Sequence, residues 1–241
     1  MTFWQNLITT FLHPTAPQKE VAEQNKRINN KTHTNTTFKG KKMSQARVLT
    51  ERELNKVLGY CDEQPHARRN RAILLCTHLA GMRVGTVASL TIADVLAKDG
   101  TIKDEIRLSG TQFKGNRSVT VYIPQRLQAE LLKYLQYRFG IKNLTAVAYT
   151  DTTQALFPTQ KNLVNGFTAN TLCQLLCTIY KNAGIEGATS HSGRRSFITK
   201  LADKGVGVHV LMHLASHRSL NTTQKYISTN PSIMKAAVEL V

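Results

Sequence analysis

The 241-residue sequence contains no apolar run long enough to span a bilayer, which excludes a helical membrane protein. Its first residues, MTFWQNLITTFLH, carry no early basic cluster and mix polar with apolar residues, which argues against a secretory signal. There are only four cysteines, Cys61, Cys76, Cys173 and Cys177, and nothing indicates export, so a disulfide framework is not expected. Cys173 and Cys177 would share a helix face but lack a second ligand pair at zinc-finger spacing, and all four read as small buried hydrophobes. There is no internal repeat, no P-loop pattern and no carboxylate cluster suited to magnesium. Acidic residues are the scarcest class relative to their opposites: 15 Asp and Glu stand against 32 Lys and Arg, a formal +17 with a pI near 10.0. A protein this basic meets a polyanion, and nucleic acid is the default partner. A membrane surface is the weaker alternative, because no basic amphipathic anchor is evident.

What is present fits a globular chain: 41% hydrophobic and 20% charged residues, with length enough to bury a core of its own. Residues 1–42 stand apart. After Pro14 and Pro17 they run KEVAEQNKRINNKTHTNTTFKGKK, too poor in apolar side chains to offset the entropy of ordering. They are expected to form a flexible, disordered basic arm or a passive solvated tail, with at most one short amphipathic helix over 3–12. Met43 is also a candidate start. The body, 43–241, shows sharper signals. Thr50 and Glu53 form a capping box that opens a helix reaching 62. A second helix is expected over 66–80, stopped by Gly81, and a short one over 84–90. Arg68, Arg69 and Arg71 crowd the start of that second helix against its dipole, which a nearby phosphate or a solvated face would explain. Strands are expected over 105–113 and 118–123, joined by a turn at Gly115 and Asn116. Further helices follow over 125–139 behind Pro124, from Thr168 to 182, over 192–204 before Gly205, over 208–215 and 220–227, and from Pro231 onward. The expected fold is mainly α with one small antiparallel sheet (α+β).

Six polar residues in these elements can act together on a phosphodiester. Arg83 follows a helix stop in AGMRVG, and Lys114 stands at the hairpin tip in FKGNR. His191 and Arg194 open a helix in SHSGRRSF, His217 lies between short helices in LASHRSL, and Tyr226 follows in NTTQKYIS. Two arginines can grip a phosphate and neutralise charge as it develops in a pentacoordinate transition state. A lysine and two histidines can move protons, and a tyrosine phenolate can attack phosphorus to give a covalent intermediate.

The ordered series Arg, Lys, His-x-x-Arg, His, Tyr resembles the tyrosine recombinases, or phage-type integrases, from about Thr50 to Asn230. The segment HSGRRSFITKLADKGVGVHVLMHLASHRSLNTTQKYI carries the most specific part of the match. The resemblance implies the catalytic-domain fold of that family and site-specific cleavage and rejoining of DNA through a 3′-phosphotyrosyl link, without ATP, metal or other cofactor. By the same resemblance Arg83 and Arg194 clamp the phosphate, Lys114 assists departure of the 5′ oxygen, and His191 is the general acid/base. His217 is the second hydrogen-bonding group and Tyr226 the nucleophile. The implied partners are double-stranded DNA, a homo-tetramer formed on it from chains that are monomeric when free, and accessory DNA-bending proteins. The implied setting is the nucleoid of a bacterial or phage-infected cytoplasm. The C-terminal NPSIMKAAVELV, apolar at helical spacing, looks like a helix that docks on a neighbouring protomer, with packing on its own core as the rival.

The chain departs from the pattern in places. Thr86 stands where the family often has an acidic residue, and Ala215-Ser216-His217 replaces a stretch that usually carries glycine. Residues 1–42 cannot build the helical clamp domain that most members place first, so a short, catalytic-domain-only form is expected. Each site residue also has an ordinary alternative: Arg83 an ion pair, Lys114 an exposed hairpin lysine with Lys103 as a rival, His191 a helix cap, Tyr226 a core tyrosine. Arg195 and Arg218 read as DNA-backbone contacts or surface charge. His209, His213 and His217 lie four apart and suggest zinc, but no carboxylate accompanies them and a polar SHRS run breaks the helix, so no metal is expected. Two other functions compete: a recombination-inactive DNA-binding regulator of the same fold, and a type IB-like topoisomerase.

Overall fold

The computed structural model describes residues 45–112, 118–150, 153–159, 165–226 and 238–239. The expectations for 1–42, the helices over 3–12 and from 231, and the turn at Gly115 and Asn116 lie outside these residues.

Helix α1 (Glu51–Asp62) begins with the expected capping box, the Thr50 hydroxyl accepting from the Glu53 N–H and the Glu53 carboxylate accepting from the Thr50 N–H. It buries Leu54, Val57, Leu58 and Cys61, one stripe at helical spacing. Helix α2 (Ala67–Leu79) is buried on all sides from Ala72 to His78 and packs against α1, α5 and α8, so it is the axle of the fold. Each of its three leading arginines has a partner within the protein, although Arg68 is also exposed. Arg71 pairs with Asp62 of α1 at 2.8 Å and with Glu130 of α5. Arg69 donates to the Pro158 carbonyl at 3.2 Å and covers the Phe167 ring, and Arg68 covers Tyr137. They tether α2 to its neighbours.

Helix α3 (Val84–Ser89) leads to α4 (Ile92–Val95), a single turn opened by a second capping box, Thr91 with Asp94. Strands β1 (Glu105–Leu108) and β2 (Val119–Tyr122) pair antiparallel with Ile106 opposite Val121. β1 is shorter than its sequence suggests. From Ser109 to Gln112 the chain turns on itself: Gln112 N–H donates to the Ser109 carbonyl at 3.1 Å, and the Gln112 side chain accepts from Ser109 and donates to Asp94 at 2.7 Å. Side-chain bonds thus replace the ladder.

Helix α5 (Gln125–Phe139) starts behind Pro124, α6 (Val147–Thr150) is one turn, and α7 (Ala169–Asn182) is capped by Thr168, whose hydroxyl accepts from the Thr171 N–H at 3.2 Å. Helices α8 (Ser192–Asp203), α9 (Val208–Leu214) and α10 (Leu220–Gln224) complete the described order. The architecture is mainly α with a two-stranded antiparallel sheet, as expected. Cys61 and Cys76 lie in the core, and burial pushes both thiols up to about 12, the behaviour of small hydrophobes. Cys173 and Cys177 are half-buried, with Cys173 donating to the Ser190 hydroxyl.

Candidate active site

Two close backbone approaches place the first two arginines. Gly81 ends α2 with φ +61°, and a Cβ there would stand 2.8 Å from Phe197 Cε1, so the chain can reverse only with glycine. Arg83 follows as the N-cap of α3. On α8, Gly193 lies against α2 so closely that a Cβ would collide with Thr77 and come 2.9 Å from His78 Cδ2. That contact carries the next residue, Arg194, into the interior.

Arg194 is 8% exposed. Its Nη1 donates to the Gly81 carbonyl at 2.6 Å and its Nη2 to the Ala215 carbonyl. These acceptors fix the guanidinium without cancelling its charge, as a carboxylate would. Burial, reinforced by Arg83, pulls its pKa down to about 9, still cationic at neutral pH. The two arginines are close enough to repel, as they must be to share one anion.

His217 is placed by a helix end. Its N–H donates to the Met212 carbonyl at 2.9 Å, and the Ser216 N–H donates to the His213 carbonyl at 2.8 Å, a Schellman motif with Ser216 at φ +49° where glycine is usual. His217 lies beyond the end of α9 and is buried, whereas His209 and His213 on α9 are exposed; all three line the same cleft. Among the described residues no group of three or more His, Cys, Asp or Glu is placed to hold a metal ion. His217 is buried, with Nδ1 2.9 Å from the Thr223 hydroxyl. Burial first, then Arg194 and Arg83, lowers its pKa to about 4, so the ring is neutral at neutral pH.

Tyr226 lies in the turn after α10, not inside a helix running to 227. It is half-buried and stands outside the core, so the core-tyrosine alternative fails. Its ring stacks on His217, centroids 5.7 Å apart and planes 23° apart. His191 occupies the N-cap of α8, but its exposed side chain makes no cap bond, so it is not there as a helix cap. Lys114 falls outside the described residues. Its rival Lys103 donates to the Ala93 carbonyl at 2.6 Å. Thr86 is buried in α3. A cleft of about 630 Å³ runs from His217 and Arg218 between α9 and the Ser118–Tyr122 segment of the hairpin.

Arg83, Arg194, His217 and Tyr226 thus converge from four parts of the chain. Sequence reasoning missed Thr223, which orients His217, and the seating of Gly193 on Thr77. A glycine inside HSGRR was the available signal for the second.

The architecture is mainly helical with a small sheet, and it sets a buried arginine beside a histidine–tyrosine stack. Residues 47–232 match the phage integrase family, and the chain belongs to that family, the tyrosine recombinases. It is 29% identical over 192 residues to tyrosine recombinase XerA of Pyrococcus furiosus, covering 79% of this chain and 60% of that protein. The chain therefore spans about 60% of the length of that relative. In fold it is similar to a crystal structure of XerA recombinase, with TM-score 0.62, 22% identity, and 81% of this chain and 65% of that one covered. It is also similar to XerH site-specific recombinase bound to difH substrate, with TM-score 0.59, 23% identity, and 79% and 53% covered.

Proposed function

We propose that this chain cleaves and rejoins DNA at a specific site through a 3′-phosphotyrosyl intermediate. The observation that carries this is the convergence of Arg194, Arg83, His217 and Tyr226. Family membership and the likeness to XerH bound to its difH substrate support it. The net positive charge draws in duplex DNA, and one phosphodiester sits between Arg83 and Arg194. The Tyr226 oxygen attacks phosphorus, giving up its proton. The P–O5′ bond breaks, the 5′ oxygen takes a proton, and the 3′ phosphate stays on tyrosine. The bond broken is replaced by one of similar energy, so a 5′ hydroxyl can later displace the tyrosine and rejoin a strand with no outside energy source.

The arginines hold and neutralise the non-bridging oxygens where charge grows. Neutral His217 donates one hydrogen bond to the same phosphate. His191, exposed at the start of α8, exchanges the nucleophile's proton, and Lys114 serves the leaving oxygen. Strand exchange between two duplexes calls for four such sites, hence a homo-tetramer on DNA, with accessory bending proteins where the site requires them. Residues 1–42, with their net positive charge, add contacts to DNA phosphates.

The test is covalent capture. The protein is mixed with a pool of random-sequence duplexes, each nicked so that religation is blocked, and denaturant-resistant adducts are recovered and sequenced. Wild type should yield adducts at one sequence family, with EDTA present. Tyr226→Phe should retain DNA affinity and yield none. Binding without any wild-type adduct would instead mark a DNA-binding regulator. Relaxation of a supercoiled plasmid without exchanged products would mark a topoisomerase.

A further inference from the structure

We propose that Arg195 is a positioning residue for the nucleophile, holding the Tyr226 ring in line; this deepens the recombinase reading and rests on it. Arg195 follows Arg194 on α8, and successive helical residues point about 100° apart. Arg194 turns to the Gly81 and Ala215 carbonyls, whereas Arg195 turns to the nucleophile: its Cζ lies 6.0 Å from the centroid of the Tyr226 ring. Its Nε–H is buried and meets no hydrogen-bond acceptor among the described residues.

That orphaned donor is informative. An arginine acting only as surface charge would swing its head into water and satisfy every N–H. Arg195 keeps a half-buried pose with one donor unmet, and the attraction of its charge to the Tyr226 ring is the interaction available to hold it there. The Tyr226 ring needs such support. It sits beyond the end of α10, where its own N–H bonds back to the Thr223 carbonyl at 2.9 Å. Its described ring contacts are the stack on His217 and the guanidinium of Arg195. A phenol that must meet phosphorus in line loses rate steeply when displaced by an ångström. With Arg195 in place the ring has two supports from two different elements.

Arg195→Met keeps the aliphatic stem and removes the plane and charge, and Arg195→Lys restores the charge alone. Single-turnover adduct formation is measured at saturating nicked DNA, alongside DNA affinity and thermal unfolding. Arg195→Met should cut the rate about 10- to 100-fold, with affinity and melting temperature close to wild type, and Arg195→Lys should recover part of the loss. In the free protein, a 3-fluorotyrosine placed at 226 should show a displaced and broadened ¹⁹F resonance in Arg195→Met. An unmoved resonance overturns the contact. A full rate at saturation with weakened affinity makes Arg195 a backbone-phosphate contact and overturns the proposal alone. No adduct from wild type overturns the recombinase reading, and this inference falls with it.

Discussion

Arg194 and His217 lie side by side and respond oppositely to burial. Burial destabilises the charged form of both, but the guanidinium starts so high that a fall to about 9 leaves it cationic. Imidazole starts at 6.5 and is driven to about 4, so it is neutral when the arginines are charged. A third group, His78, is 4% exposed in α2 beneath Gly193, with Nε2 2.9 Å from the Tyr180 hydroxyl and Nδ1 buried with no hydrogen-bond partner among the described residues. Burial pulls it down to about 3. The unfolded chain accepts a proton on His78 near pH 6.5, whereas the folded chain refuses it until about 3. Holding His78 neutral therefore costs nothing above pH 6.5, and stability is lost progressively as pH falls toward 3, up to about 5 kcal/mol over the whole window. His78→Gln keeps a hydrogen-bonding side chain that does not titrate. Its melting temperature should fall less between pH 6.5 and 4.5 than that of wild type; parallel profiles would show that other groups govern acid stability.

At the scale of elements, the site depends on the seating of α8 on α2. The Leu49 N–H donates to the Ser196 hydroxyl at 2.8 Å in the interior, and Gly193 has no room for a side chain. Gly193→Ala should cost about 1–3 kcal/mol by overpacking, and should lower adduct formation further by shifting Arg194 one residue on. Gly59→Ala is the matched control: it lies in the exposed middle of α1 with nothing near its Cβ position, and should stabilise by about 0.5–1 kcal/mol. Thermal unfolding and single-turnover rates of the two variants should move in opposite directions for stability, with the rate falling only for Gly193→Ala. Equal melting temperatures would mean that α8 can shift without loss. The longer helices and their ends were legible in the sequence because capping boxes, glycine stops and apolar stripes are local. Single-turn α4 and α6 were not, since four residues carry no measurable periodicity. The early end of β1 was not legible either, because Gln112 leaves the ladder to reach Asp94 on another element.

At the scale of the whole molecule, charge is spread over two regions. Residues 1–42 hold seven Lys and Arg against two Glu, a net +5 of the +17, and the remainder keeps +12. If the arm touches phosphates without reading bases, removing it so that the chain starts at Met43 should weaken binding to all DNA sequences about equally. It should also flatten the plot of log affinity against log salt by close to one unit per lost contact. Cleavage at saturating DNA should persist, because every proposed site residue lies beyond Met43. Binding isotherms at several salt concentrations check this, and equal slopes for the two forms would show a passive tail.

The sequence by itself determined the family, the order of the longer helices and the choice of the six candidate groups, because spacing, caps and composition are properties of a linear chain. Only the tertiary structure set the surroundings of Arg194, His217 and Tyr226. Arg194 is held by carbonyls from residues 81 and 215, and His217 is neutral because it is buried and two arginines stand beside it. Tyr226 lies between a histidine and an arginine from other elements. Solvent exclusion and through-space charge set protonation and orientation, and both depend on which distant residues meet, a quantity that no local pattern in the chain encodes.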